Sequence, residues 1–108
     1  MARDQGLEEL ICDDLRSRPG VTAKAMFGGY AWLLDGNLFC GARDDGMLVR
    51  LGKGRDGWAL QITGIGPMLS RGKRMHGWVR GDARVYGDDV IRRKLIASAL
   101  SFVESLPK

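Results

Sequence analysis

The sequence contains no apolar run near the roughly 20 residues that a membrane-spanning helix requires, which argues against a helical membrane anchor. Its opening residues, MARDQGLEEL, place acids where the apolar core of a secretory signal would lie, so the expected location is cytoplasmic. Cysteine is scarce. Cys12 and Cys40 are the only two in 108 residues, whereas a small secreted domain usually carries more, in pairs. Cys12 follows Ile11 in a helical pattern and Cys40 follows Phe39 in a strand, so both read as small buried hydrophobes. Histidine is scarcer still. His76 stands alone in a basic run with Arg71, Lys73 and Arg74, with no serine or cysteine nearby in a nucleophile motif. One histidine and two distant cysteines also fall short of a zinc set. The segment GKGRDG resembles only a fragment of a phosphate loop. These shortages lead to the expectation of a protein that is not an enzyme and that carries no metal.

What is present is ordinary for a folded domain: 44% hydrophobic and 28% charged residues. The length suits one domain spanning 1–108, with one core. No repeat, linker or low-complexity tract interrupts it. The formal charge of +4 permits contact with nucleic acid or another anionic surface without requiring it.

Periodicity gives the elements. Leu7, Leu10, Ile11 and Leu15 form a helical stripe behind Asp4 as N-cap, and Pro19-Gly20 ends it. Val21–Met26 reads as a strand or an extended lead-in. The segments YAWLL, NLFCGAR and MLVRL then read as a three-stranded antiparallel meander, with Val21–Met26 as an optional fourth strand. Asp35-Gly36 and Asp45-Gly46 are its hairpin signals. Two-residue loops would pair residue 34 with 37 and 33 with 38, and likewise 44 with 47 and 43 with 48. One face then holds Ala31, Leu33, Leu38, Cys40, Ala42, Met47, Val49 and Leu51 and is the expected core. The other holds Tyr30, Trp32, Leu34, Phe39, Gly41, Arg43, Leu48 and Arg50, and is amphipathic.

A loop over Gly52–Gly57 leads to a short helix around Trp58–Ile62, and Ile65–Arg71 reads as irregular around Gly64, Gly66 and Pro67. Met75–Arg80 alternates as a strand. Asp88-Asp89 caps a final helix with a stripe of Ile91, Leu95, Ala99, Phe102, Val103 and Leu106. The acidic pairs Asp44-Asp45 and Asp88-Asp89 therefore read as a turn and a cap rather than as magnesium ligands. The expected fold is a two-layer α+β domain with helices on one face of an antiparallel sheet.

Three features are candidates for binding. In RGKRMHGWVR, the side chains of Arg71, Lys73, Arg74, His76, Trp78 and Arg80 mix phosphate-seeking cations with stacking rings, the chemistry of a nucleic-acid contact, and the plainer reading of the same run is a solvated hairpin. The face bearing Tyr30, Trp32, Phe39, Arg43 and Arg50 could stack bases, could serve as a homodimer or protein-partner interface rich in aromatics and arginine, or could be covered by the protein's own loops and C-terminal segment. Arg92-Arg93-Lys94 places three cations at a helix N-terminus against the macrodipole, which reads first as an ordinary solvated helix face and otherwise as a contact for an outside partner.

The segment KAMFGGYAWLLDGNLFCGARDDGMLVRLG resembles the TfoX (Sxy) N-terminal domain family. Met26, Phe27, Gly28 and Gly29 match that family's structural signature turn, and Asp35-Gly36 matches its hairpin. The run from Gly72 to Val79 is similar to its Gly-Arg-Pro-Met-x-Gly-Trp-Val element, with Arg74 in place of proline, and FVESLPK matches its ending. The resemblance spans about Val21 to Lys108. It implies a secretion-chaperone-like order α-β-β-β-α-β-β-α, no cofactor, no catalytic residues, and a single-domain member of the family. Full-length TfoX proteins carry a second, C-terminal domain and assist the cyclic-AMP receptor protein at competence promoters. A transcription regulator or nucleic acid is thus the partner class implied, and a competence co-regulator the role.

Overall fold

The computed structural model describes residues 4–26 and 28–107. Four helices and six strands follow one another as α1 (Gln5–Leu15), β1 (Val21–Met26), β2 (Gly29–Leu34), β3 (Asn37–Arg43), β4 (Gly46–Arg50), α2 (Gly57–Leu60), β5 (Ile65–Ser70), β6 (Lys73–Gly81), α3 (Ala83–Tyr86) and α4 (Asp89–Glu104). The strands form one antiparallel sheet in the order β1-β2-β3-β4-β6-β5. Leu7, Ile11, Leu15, Ala59, Val85, Leu95, Ile96, Ala99 and Val103 bring all four helices into one apolar cluster over one face of the sheet. This is the two-layer α+β arrangement, with Val21–Met26 as a full strand and α3 as an added turn of helix.

The caps are as the sequence indicates. Asp4 Oδ1 accepts from the Leu7 backbone N–H at 3.0 Å, and Asp88 Oδ1 accepts from Val90 and Ile91. Asp4 Oδ2 also accepts from the Tyr86 hydroxyl at 2.9 Å, joining the start of α1 to α3. Burial and this bond to a carboxylate together raise the Tyr86 pKa.

Two parts of the sheet depart from the expected register. Leu33 pairs with Leu38 as expected, but Trp32 pairs with Cys40, so Phe39 is an extra residue in a β-bulge. The slip turns β2 over relative to β3 and β4. Trp32, Leu34, Phe39 and half-buried Tyr30 join Cys40, Ala42, Met47, Val49 and Leu51 under the helices. Ala31 and Leu33 lie on the opposite face, where Ala31 is still fully buried and Leu33 half-buried. Apolar area explains the outcome, because an indole buries roughly 150–250 Å² and an alanine far less. The second loop also shifts. Arg43 pairs with Gly46, so Asp44-Asp45 forms the turn instead of Asp45-Gly46. A shift of two residues leaves the faces of β3 and β4 unchanged.

Ile65–Ser70, expected to be irregular, is the strand β5. Pro67 is tolerated because β5 lies at the sheet edge, where a missing N–H breaks no ladder on the open side. Arg71 and Gly72 close the β5–β6 hairpin with φ of 53° and 80°, the signs of a type I′ turn. Asp35 and Gly36 do the same between β2 and β3, at 50° and 86°. Of the signature residues, Met26 is half-buried at the end of β1, Gly28 is exposed, and Phe27 lies outside the described residues. Gly29 is required by contact: a Cβ there would stand 2.0 Å from the Ala42 carbonyl oxygen.

The cations of α4 meet groups within the molecule, and Arg92 is buried where the sequence reads first as a solvated helix face. Arg92 is only 2% exposed, and its Nε donates to Asp14 Oδ2 of α1 at 2.7 Å. Its Nη1 donates to the Tyr86 carbonyl at 2.8 Å and pairs with Asp89 at 2.8 Å. Arg93 Nε reaches Asp14 Oδ1 at 3.1 Å, and Lys94 Nζ lies 4.6 Å from the Trp58 ring centroid. Burial works to raise the Asp14 pKa, but the hydrogen bonds and charges of Arg92 and Arg93 outweigh it and hold the carboxyl low. Cys40 is buried as expected, and burial raises its thiol pKa steeply. Cys12 is exposed, because the α1 stripe that faces the core is Leu7, Ile11 and Leu15.

Asp14→Ala should destabilise the fold by about 2–3 kcal/mol, as read from urea unfolding, since it removes the carboxylate that the buried Arg92 Nε meets and leaves the guanidinium only Asp89 and the Tyr86 carbonyl. The folded pKa lies below the ordinary 3.8, so this stabilisation is complete above that value and is lost as pH falls through the folded one. A midpoint that Asp14→Ala leaves unchanged at neutral pH contradicts the assignment.

Candidate nucleic-acid interface

β6 does not run straight. Trp78 pairs with Arg50, Val79 with Val49 and Arg80 with Leu48, but β4 has no partner on β6 before Trp78. At Gly77 the backbone turns to φ 87°, and the Gly77 carbonyl accepts from both Leu51 N–H at 2.7 Å and Gly52 N–H at 3.1 Å. A Cβ on Gly77 would lie 2.8 Å from Gly52 C and Lys53 N. Gly52 is equally confined, with φ 101° and the Phe102 ring 2.7 Å from where its Cβ would be. Two glycine backbones thus cross at near-contact distance, and only glycine meets both the sign of φ and the spacing.

Beyond this crossing, the outer half of the β5–β6 hairpin forms an arm. Residues 69–76 are all exposed, including Leu69 at 52% and Met75 at 39%. The arm carries Arg71 at its tip and Lys73, Arg74 and His76 on β6. Arg74 lies 3.7 Å from Asp56, while the side chains of Arg71, Lys73 and His76 make no ion pair among the described residues. Between the arm, the end of β4 and the 52–56 loop lies a cleft of about 560 Å³, lined by Arg50, Lys53, Arg74, His76, Trp78 and Phe102. The Arg50 guanidinium sits 5.3 Å from the Phe102 ring centroid, with that of Arg55 at 6.0 Å. Arg50 Nη1 also donates to the Leu38 carbonyl at 3.4 Å.

The structure therefore brings together Arg74, His76 and Trp78, with Arg71 and Lys73 farther out on the same arm. Arg80 is not with them. It is half-buried in the sheet, and its Nη1 donates to the Asp45 carbonyl at 2.9 Å. The aromatic face does not exist as a surface. Trp32 is 2% exposed and Phe39 fully buried, both turned inward by the bulge, while Tyr30 meets Trp32 edge to face at 5.6 Å. Of the remaining interface candidates, Arg43 pairs with Asp45 through Nε and Nη2 at 3.1 Å each, and Arg50 joins the cleft. Lys53, Arg55 and Phe102 were not legible as site residues. The charged loop GKGRDG was the signal for Lys53 and Arg55, and Phe102 stood in the α4 stripe, but nothing in the sequence placed either beside Trp78. Among the described residues, no three His, Cys, Asp or Glu side chains gather as a metal set, and no helix is long and apolar enough to cross a membrane.

The TfoX N-terminal domain model matches residues 13–103, and the chain belongs to that family. Neither the curated proteins nor the solved structures include a match. The Gly77-Trp78 pair of the family-like element marks where β6 parts from β4 while staying paired with β5.

Gly77→Ala should force a left-handed backbone on alanine, which costs about 1–2 kcal/mol, and should push apart the crossing chains. Hydrogen exchange at the Leu51 and Gly52 amides should then accelerate well beyond that of the sheet centre. Unchanged protection at both amides would count against the crossing.

Proposed function

We propose that this domain is a non-enzymatic regulatory module that acts in the cytoplasm and contacts nucleic acid through the β5–β6 arm, with competence or transcription co-regulation as its setting. One observation carries the reading. Arg71, Lys73 and Arg74 project on a hairpin whose side chains lie in solvent, and Arg50, Lys53 and Arg55 stand on the adjoining strand end and loop. Elsewhere the arginines are largely matched: Arg92 and Arg93 to Asp14, Arg43 to Asp45, Arg84 to Asp82, and Arg18 to Glu104. On the arm only Arg74 has an ion pair among the described residues, a long one to Asp56 at 3.7 Å, and cations clustered with so little counter-charge favour a polyanion over general solvation. A homodimer through Tyr30, Trp32 and Phe39 loses its surface, because two of those rings are in the core.

Fluorescence anisotropy of labelled DNA and RNA across a salt series tests this. Replacing Arg71, Lys73 and Arg74 together by glutamate should weaken binding at least tenfold and lower the salt slope by about 1 per cation removed. Lys24→Glu, on exposed β1 at the other edge of the sheet, should change both far less. Equal affinity for wild type and the triple variant would sink the proposal.

A further inference from the structure

We infer that the cleft beside the arm is a nucleotide site, which seats one unstacked base against Trp78 and its 5′-phosphate on Arg50, Lys53 and Arg74. The inference deepens the nucleic-acid reading of this surface and rests on it for the source of the ligand.

The cleft's composition defines the ligand chemistry. Three permanent cations line it, and one carboxylate, Asp56, stands near at 3.7 Å from Arg74. A guanidinium has five N–H donors, of which Arg50 directs one to Leu38 O. The others can meet a phosphate, held by a side chain already braced on the Phe102 ring. Lys53 adds a second charge from the loop and makes no ion pair among the described residues. An inorganic anion would satisfy these groups but leave Trp78, half-buried on the cleft wall, without a partner. A base supplies that partner, since every base offers a stacking face.

Size sharpens the class. About 560 Å³ falls in the range of small-molecule sites and suits one nucleotide. A paired base cannot enter without leaving its stack. The cleft should therefore prefer a single-stranded segment or a strand end, while the outer arm meets phosphates of any strand. The walls are also firm where it matters. The Gly52–Gly77 crossing fixes Lys53 relative to Trp78, and the Phe102 ring fills the space beside Gly52. Such bracing lowers the ordering cost of binding.

Heteronuclear NMR of the intact chain tests the inference, with four probes: inorganic phosphate, 5′-AMP, a short 5′-phosphorylated single strand, and a blunt duplex. AMP and the single strand should shift the Gly52 and Lys53 amides and the Trp78 indole N–H, with AMP at least tenfold tighter than phosphate. Trp78→Leu should reduce AMP to the affinity of phosphate, and Arg50→Gln should weaken both about tenfold. Arg71→Glu with Lys73→Glu should leave AMP unchanged while weakening the single strand. Should a variant fail to fold, the wild-type shift map decides alone. AMP no tighter than phosphate overturns the site. A single strand that binds without shifting the cleft overturns the site but keeps the nucleic-acid reading. AMP binding without any strand binding keeps the site for a free nucleotide and overturns that reading.

Discussion

At the crossing of Gly52 and Gly77, one carbonyl accepts two successive amides, and two backbones pass closer than any side chain allows. The arrangement of this end of the molecule follows from that contact. Inside it, β6 is an ordinary sheet strand, with Val79 in the core beside Val49. Outside it, β6 is free of β4 and pairs only with β5. The arm's residues stay exposed for that reason, and the 52–56 loop faces them across a gap. The cleft is thus a product of backbone geometry. Its charged walls are side chains added to a frame that glycine makes.

How legible this was from sequence depends on the element. The stripes of α1 and α4, their aspartate caps and the Asp35-Gly36 turn follow local rules, and the structure obeys them. The face of β2 did not follow. Both registers satisfy alternation in YAWLL, and the larger apolar area of Trp32 and Phe39 against that of Ala31 and Leu33 favours the one that puts the rings under the helices. β5 was hidden by Pro67 and its flanking glycines, which are permitted by its place at the sheet edge, a property of topology rather than of the segment. Cys12 shows the same limit, since a helical stripe read one residue too wide places an exposed thiol inside.

Charge illustrates the point most clearly. The net charge of +4 says little, because the same residue types do different work in different places. Arg92 is buried against Asp14 and holds α1 to α4. Arg43 and Arg80 meet at the β3–β4 turn through Asp45. Among the described residues, the side chains of Arg71 and Lys73 make no ion pair. The basic run of residues 71–74 was visible as a candidate in the sequence, but its contrast with the arginines of α4 was not. The addition of Arg50 and Lys53 to it required the fold.

The central claim is that nucleic acid meets this protein at Trp78 and the cations around it. Photocrosslinking tests it directly, with a single strand bearing 5-bromouracil at each position in turn, followed by mass spectrometry of the linked peptides. Cross-links to Trp78, with lesser ones on the arm from Arg71 to His76, are the expected result. Cross-links confined to α1, β1 or the exposed face of α4, or none at saturating strand, would contradict it.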